Sequence, residues 1–236
     1  MTFPFGAIPG PRYAAEGGYG PPEGISASIT PERLEELRRS SPFDLSDEDL
    51  VHLIQHGETA LFDILVERYQ DRIYNTSMKM LADPDEALDA TQEVFMKAFR
   101  GLGRFAFKST FYTWLFQITL NFCRSRLRSR SRASRMKTLP LDAKDEDGEF
   151  QAFSLPDDGP QPFETLRKKE LLEAAERALE LLRPEFREVI VLRDIEGLNY
   201  DQIAIVLKCS MGTVKSRLHR ARNALARALA PYLERE

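Results

Sequence analysis

The stretch NYDQIAIVLKCSMGTVKSRLHRARNALARAL, residues 199–229, has the spacing of a helix-turn-helix: a short helix, a tight turn and a longer helix. We expect the turn around residues 209–212. The side chains expected to pack the first helix are Tyr200, Ile203, Ala204 and Leu207. Those expected to form the buried face of the second helix, at i, i+4, i+7 and i+11, are Val214, Leu218, Ala221 and Leu225. Ala204 is small at the point where the second helix must cross closely.

The outward side of the second predicted helix is basic. Residues 208–227 contain six Lys or Arg and no acid. Such a helix fits the major groove of DNA, where Lys and Arg read guanine edges and Ser reads adaptably. The candidate reading residues are Lys215, Ser216, His219 and Arg220, and the candidate phosphate contacts beside them are Arg217 and Arg222. An ordinary helical hairpin with a basic face is the alternative, but turn, packing residues and cations all agree with the helix-turn-helix.

A second basic stretch lies upstream, at residues 97–137. It holds eleven Lys or Arg, no Asp or Glu, and eight aromatic residues, although the whole chain has a net charge of −4. Cations follow a phosphate backbone and aromatic faces stack on unpaired bases, so the stretch is a candidate for binding single-stranded DNA. The alternative is a helix with a buried aromatic face and a solvated basic tail. Gly101 and Gly103 interrupt the stretch, and Ser109 or Thr110 can cap the helix that follows.

The helix predicted before this loop begins with Asp83 as N-cap and Pro84 at the first helical position. Its inward residues are expected to be Leu88, Thr91, Phe95 and Phe99. A neighbouring polar face is formed by Asp85, Asp89, Gln92 and Glu93. That face fits a solvated surface or a docking site for a basic partner. A carboxylate-bridged metal centre would need Glu-x-x-His pairs, which the three histidines do not supply.

The chain reads as all-α, with two small helical domains joined by a flexible acidic linker and a helix-turn-helix in the C-terminal domain. Residues 1–45 are expected to be mostly a disordered leader, apart from a short helix at residues 31–39 with Thr30 as N-cap and Pro31 at the first helical position. The N-terminal domain would span residues 46–137, with Ser46 as its first cap. Residues 138–163 would form the linker, since residues 142–164 hold eight acids and several Pro and Gly. The C-terminal domain would span residues 164–236.

Several classes of protein are disfavoured by composition. Cys123 and Cys209 cannot build a disulfide framework and lack metal-ligand spacing. His52 and His56 have a spacing that can hold a metal, but no third ligand is in sight and we expect both on the surface. No apolar run is long enough for a membrane span, and the N-terminus lacks the order of a signal peptide. We expect a soluble cytoplasmic protein with no cofactor, no metal and no membrane insertion.

Three separated stretches resemble the extracytoplasmic-function (ECF) family of RNA polymerase sigma factors. DEALDATQEVFMKAFRGL, residues 85–102, resembles the family's helix that binds core polymerase. FKSTFYTWLFQITLNFCRSRLR, residues 107–128, resembles its −10-element and strand-opening helix. LRPEFREVIVLRDIEGLNYDQIAIVLKCSMGTVKSRLHRARNAL, residues 182–225, resembles its −35-reading domain. Together with the helical part from about Ser46, the match covers the chain except the leader and the linker.

The resemblance implies a role for each candidate residue. Those that would dock on the clamp helices of the largest polymerase subunit are Asp85, Asp89, Gln92 and Glu93. The loop at residues 104–109 would hold a base flipped from the non-template strand, through Arg104, Phe105, Lys108 and Ser109. The residues touching the upstream side of the −10 element would be Asn121, Arg124 and Arg128. Those reading the −35 element would be Lys215, Ser216, His219 and Arg220, flanked by Arg217 and Arg222. Trp114 is expected in the core rather than as a base-stacking platform.

The sequence therefore predicts a non-enzymatic sigma factor with core RNA polymerase and promoter DNA as partners. An anti-sigma partner is common in the family, and nothing in the sequence identifies one. A stand-alone helix-turn-helix regulator is the first alternative, but it leaves the aromatic residues 105–122 without a role. A nucleic-acid enzyme is the second. It would need metal ligands or a nucleophile, and the face with Asp85, Asp89 and Glu93 is the only candidate.

Overall fold

The computed structural model describes residues 29–137 and 163–233, and these residues form helices and no strand. The nine α-helices of this part of the chain are α1 (Pro31–Arg39), α2 (Asp47–Gln55), α3 (Phe62–Leu81), α4 (Pro84–Leu102), α5 (Phe111–Lys137), α6 (Phe163–Leu181), α7 (Pro184–Ile190), α8 (Tyr200–Leu207) and α9 (Met211–Leu233). The predicted all-α class is confirmed.

Helix α1 lies within the segment expected to be mostly a disordered leader. The Thr30 hydroxyl caps it by accepting from the Arg33 N–H at 3.3 Å, as the sequence predicts. Its Leu34 and Leu37 are buried and belong to the main core, and α1 packs on α2. Ordered structure therefore begins before Ser46. The rest of the predicted leader, residues 1–28, and nearly all of the predicted linker lie outside the described residues.

Helices α3, α4 and α5 form the centre of the N-terminal half and pack pairwise on one another. Helix α3 ends at Ala82, whose left-handed backbone reverses the chain at φ +53°. Asp83 then caps α4 by accepting from the Glu86 N–H at 2.9 Å. This predicted cap is confirmed, and α4 then packs against α3.

The predicted inward face of α4 is partly wrong. Leu88 and Phe99 were expected in the core, but they are 52% and 46% exposed. The fully buried positions are instead occupied by Ala87, Ala90, Val94 and Ala98. Small side chains let neighbouring helix backbones approach closely, so three alanines of α4 lie in the core while Leu88 and Phe99 do not. Thr91 and Phe95 are buried as predicted.

The predicted surface position of His52 is also wrong. His52 lies on α2 and is only 7% exposed. Its ring stacks on Phe107 from the loop between α4 and α5, with centroids 4.1 Å apart. The ring therefore serves as an aromatic packing surface. His56, at the end of α2, is exposed as predicted, and its Nδ1 lies 2.8 Å from the His52 carbonyl oxygen.

The C-terminal half confirms the helix-turn-helix. Asn199 and Gln202 form a reciprocal capping box at the start of α8. The turn differs slightly from the prediction, because it begins at Lys208 in a left-handed conformation (φ +53°) and Gly212 already lies inside α9. The Ser210 hydroxyl caps α9 by accepting from the Thr213 N–H at 3.2 Å. All four predicted packing residues of α9 are buried, as are Ile203 and Leu207 of α8, while Tyr200 and Ala204 are partly buried.

The two halves pack against each other. Helix α5 contacts α8, and α3 contacts both α6 and α7. One apolar cluster contains buried side chains from both halves, including Leu120 from α5 and Val206 from α8. In the described residues α8 of the helix-turn-helix therefore packs on α5, the helix of the basic and aromatic stretch. We call this packing of the two halves the closed arrangement.

Candidate nucleic-acid interface

The outer face of α9 carries the residues predicted to read duplex DNA. Lys215, Ser216, His219 and Arg220 are exposed, on the side opposite the buried Val214, Leu218 and Ala221. The Ser216 hydroxyl donates to the Thr213 carbonyl at 3.0 Å, and the His219 Nε2 lies 3.1 Å from the Asn223 amide nitrogen. A continuous surface of this kind, with the cations Lys215 and Arg220 beside the hydrogen-bonding side chains of Ser216 and His219, can enter the major groove.

Arg222 does not join that surface. Its guanidinium binds both oxygens of Asp194, which lies in a π-helical turn (Val191–Ile195) that follows α7. This pair ties α9 to the chain just after α7. The phosphate contact expected of Arg222 stays a prediction, and its guanidinium forms an ion pair with Asp194 in this arrangement. Arg217, the other expected phosphate contact, is half-buried.

The loop between α4 and α5 alternates between exposed and buried side chains. Arg104, Ala106 and Lys108 are exposed, whereas Phe105 and Phe107 are 8% and 7% exposed. Phe105 packs on the Trp114 ring with centroids 5.1 Å apart, so it cannot stack on a base in this arrangement. The cationic side chains of the loop are therefore accessible from solvent, whereas its phenyl rings pack inward.

Trp114 is packed against the core, as predicted. It lies close to Gly101 at the end of α4, where a Cβ would come within 3.2 Å of the indole ring. Glycine at position 101 thus allows the loop to fold back over α5. The first residue of α5 is Phe111, and the Thr110 hydroxyl caps it by accepting from the Thr113 N–H at 3.2 Å.

Three residues of α5 were predicted to touch the −10 element, and the structure separates them. Asn121 and Arg128 are exposed. Arg124 instead donates two hydrogen bonds, of 2.5 and 2.7 Å, to the carboxylate of Glu188 on α7. The hydrogen bonds with Glu188 raise the pKa of Arg124. In the closed arrangement the guanidinium of Arg124 is therefore engaged by the carboxylate of Glu188.

A second buried acid joins the halves. Glu196 ends the π-helical turn, and its side chain is 1% exposed. Its carboxylate accepts from the Arg72 Nε at 2.9 Å and from the Thr76 hydroxyl at 2.8 Å, and its carbonyl accepts from the Tyr112 hydroxyl at 2.8 Å. We call the set Arg72, Thr76, Tyr112, Arg124, Glu188 and Glu196 the interdomain cluster. The cluster satisfies two buried carboxylates that would otherwise be costly to remove from water.

The exposed face of α4 is acidic and partly apolar. Asp85, Asp89 and Gln92 are exposed and Glu93 is half-exposed. Asp89 lies 3.2 Å from Arg126, and Glu93 lies 3.7 Å from Lys97, in ion pairs open to solvent. Leu88 and Met96, which are 52% and 41% exposed, continue the same face.

Two family models match separate parts of the chain. Residues 65–133 match the family described as Sigma-70 region 2, and residues 172–225 match Sigma-70, region 4. The RNA polymerase sigma-H factor of Pseudomonas aeruginosa is 37% identical over 188 residues, which is 79% of this chain and 95% of that protein. The ECF RNA polymerase sigma-E factor of Escherichia coli K12 is 33% identical over 191 residues, which is 81% of this chain and 98% of that protein.

The chain belongs to the extracytoplasmic-function (ECF) family of sigma factors.

Solved sigma factors share the fold. The sigma factor RpoE of Bartonella quintana, crystallised with the anti-sigma factor NepR, superimposes with a TM-score of 0.54 at 24% identity, over 72% of this chain and 96% of that one. CnrH, in a structure with the cytosolic domain of CnrY, also has a TM-score of 0.54, at 26% identity, over 77% of this chain and 96% of that one. In the described part of this sigma factor, every helix is too short or too polar to cross a lipid bilayer.

Sequence reasoning missed two groups of residues in this sigma factor. Leu88 and Met96 could have been found, because they share the i, i+3, i+4, i+7 register of the acidic face. The interdomain cluster could not, because its partners lie far apart in sequence; Arg72 and Glu196 are separated by 124 residues.

Proposed function

We propose that this sigma factor docks on core polymerase through the outer face of α4. Asp85, Asp89, Gln92 and Glu93 would make the polar contacts, and Leu88 and Met96 would add apolar contacts. Exposed apolar side chains beside exposed acids support this role, since an interface commonly has an apolar centre with a polar rim. The ion pairs of Asp89 and Glu93 are solvent-exposed and weak, so they can exchange for partner cations.

The outer face of α9 would read the −35 element as duplex DNA. Lys215, Ser216, His219 and Arg220 are assigned to base edges. This assignment rests on one observation: the four side chains are exposed together even though the two halves pack against each other. Arg217 remains a phosphate candidate, whereas Arg222 would brace α9 through Asp194.

The loop at residues 103–110, hereafter the strand-opening loop, and the nearby edge of α5 would hold the opened non-template strand. Arg104, Lys108 and Ser109 are assigned to the loop contact, with Asn121, Arg124 and Arg128 on α5. Capture of unstacked bases offsets the few kcal/mol that unstacking costs, so opening needs no chemical step. The role is non-catalytic and belongs in the cytoplasm, where polymerase and promoter DNA meet.

The closed arrangement cannot bind both promoter elements at once. The positions in the names of the −35 and −10 elements put their centres about 25 base pairs apart, which is roughly 85 Å at about 3.4 Å per base pair. In the structure α5 and α8 are in direct contact. The halves must therefore separate before one sigma factor can hold both elements. Opening would release Arg124 from Glu188 and make its guanidinium available to DNA phosphate.

Run-off transcription tests the proposed function. Purified core polymerase with this chain should initiate from one upstream sequence selected out of a DNA library, and neither component should do so alone. The double variant Asp89→Lys with Glu93→Lys should remove initiation without unfolding the chain. A chain that protects a palindromic site by itself and adds nothing to core would instead be a stand-alone regulator.

A further inference from the structure

The strand-opening loop is hydrogen-bonded to the last turn of α2. Gln55 ends α2 and is half-buried. Its side-chain amide nitrogen donates to the Leu102 carbonyl at 2.8 Å and to the Phe105 carbonyl at 2.9 Å. A primary amide has two hydrogens, so both are used. Gln55 thereby joins the last residue of α4 to the first turn of the loop.

The same helix supports the loop a second time. His52, one turn earlier on α2, stacks on Phe107 with the ring planes 16° apart. Phe107 has φ +52°, a left-handed conformation that large side chains seldom adopt. Such a conformation persists only where surrounding contacts hold it. The contacts of α2 with Phe105 and Phe107 therefore decide the path of the loop.

This path decides which side chains face solvent. Phe105 and Phe107 are turned inward, where their rings contact each other with centroids 4.9 Å apart. Arg104 and Lys108, on either side of them, are turned outward. A rotation of the loop backbone would bury or scatter these cations.

We propose that Gln55 is a positioning residue for strand opening. It does not touch DNA in this scheme. It fixes the loop backbone through two carbonyls, so that Arg104 and Lys108 meet the unpaired strand in one geometry and no ordering is needed at the moment of capture. The inference rests on the proposed function, in which this loop holds the opened non-template strand.

The variant Gln55→Leu tests the inference, because it removes both donors with little change in size. The probe is a single-stranded oligonucleotide with the non-template sequence of the −10 element, bound to the complex of core polymerase and the full chain. We expect its affinity to fall by up to roughly 25-fold, since two hydrogen bonds are lost and each is worth about a factor of five. Affinity for core and for a −35 duplex should stay unchanged. Gln70→Leu, at an exposed glutamine of α3, is the matched control and should behave as the parent chain.

A double-variant cycle with Lys108→Ala distinguishes positioning from a general loss of structure. If Gln55 acts through the loop, the losses of single-strand affinity caused by the two variants are less than additive, because removing a Lys108 that is already misplaced costs little further affinity. Additive losses, or an equal loss of core and −35 affinity, would overturn the inference. Gln55→Met, with a flexible side chain of similar length, provides the second variant if Gln55→Leu does not fold.

Failure of the inference can be told apart from failure of the proposed function. If Lys108→Ala and Arg104→Ala weaken single-strand binding while Gln55→Leu leaves it unchanged, only the positioning role is lost. If none of the three changes it, the loop does not hold the strand, and both statements fail.

Discussion

Replacing Glu188 by glutamine should open the chain. In the closed arrangement the Glu188 carboxylate receives two hydrogen bonds from Arg124, and the side chains of the two residues are 4% and 28% exposed. Glutamine can accept only through its single oxygen and places its amide hydrogens against the guanidinium. Once the halves separate, both forms of residue 188 face water, so the substitution destabilises the closed form alone.

Two effects oppose each other in this variant. A neutral amide is cheaper to bury than a carboxylate, but Arg124 is left partly buried without its counter-charge. Removal of one partner from a fully buried pair costs about 3–5 kcal/mol. Arg124 retains some contact with water, so we take the smaller value for hydrogen bonds to charged groups, about 1.5–3 kcal/mol. The open-to-closed ratio should rise roughly 10- to 150-fold. A chain that is about 1% open would become roughly 10–60% open.

Single-molecule fluorescence transfer between one dye on α3 and one on α6 measures that ratio. Dyes attached through Asp63→Cys and Glu176→Cys, in a Cys209→Ser background, lie on exposed positions. Glu185→Gln is the matched control on the same helix as Glu188, because Glu185 forms an ion pair with the exposed Arg183. Such surface pairs are worth about 0–1 kcal/mol. Molecules with separated halves show low energy transfer. If their fraction is unchanged in Glu188→Gln, or rises equally in the control, the role given to the interdomain cluster is refuted.

Three further outcomes follow from the structure. Reversal of Asp89 and Glu93 to Lys should abolish binding to core polymerase in a pull-down, while the thermal midpoint changes little because both ion pairs are exposed; retained core affinity would remove the docking role of α4. Arg220→Ala should cost about 1–3 kcal/mol at one base pair of the −35 element in a binding assay over single-base variants, and an equal loss on all sequences would make Arg220 a phosphate contact. Burial raises the pKa of the Cys123 thiol to about 12, so alkylation near neutral pH should modify the half-buried Cys209 first and Cys123 only on unfolding; prompt double modification would contradict the packing of α5.

Local signals made most helix boundaries predictable. Thr30, Ser46 and Asp83 cap helices where the sequence places them, and Gly197 ends the segment after α7 with φ +76°. Each of these depends on neighbours a few residues away. The apolar period of α9 was equally clear, because its buried positions carry large side chains except at Ala221.

The buried face of α4 and the surroundings of His52 were not predictable in the same way. A period judged by large apolar residues overlooks alanines, and α4 buries three of them at positions 87, 90 and 98. His52 is covered by Phe107, whose position depends on the loop fastened by Gln55. Glu188 and Glu196 resemble ordinary surface acids in the sequence, since their partners lie on α3 and α5 and only the tertiary fold brings them together.

The distance between the two halves shows directly whether they separate when this sigma factor acts. Spin labels at Asp63→Cys and Glu176→Cys, in the Cys209→Ser background, would report that distance in the free chain and in the complex with core polymerase and promoter DNA. We predict a single short distance in the free chain and a much longer one in the promoter complex, in line with the roughly 85 Å between the two DNA elements. The same short distance in a complex that initiates transcription would contradict the claim that the two halves must separate for this sigma factor to act.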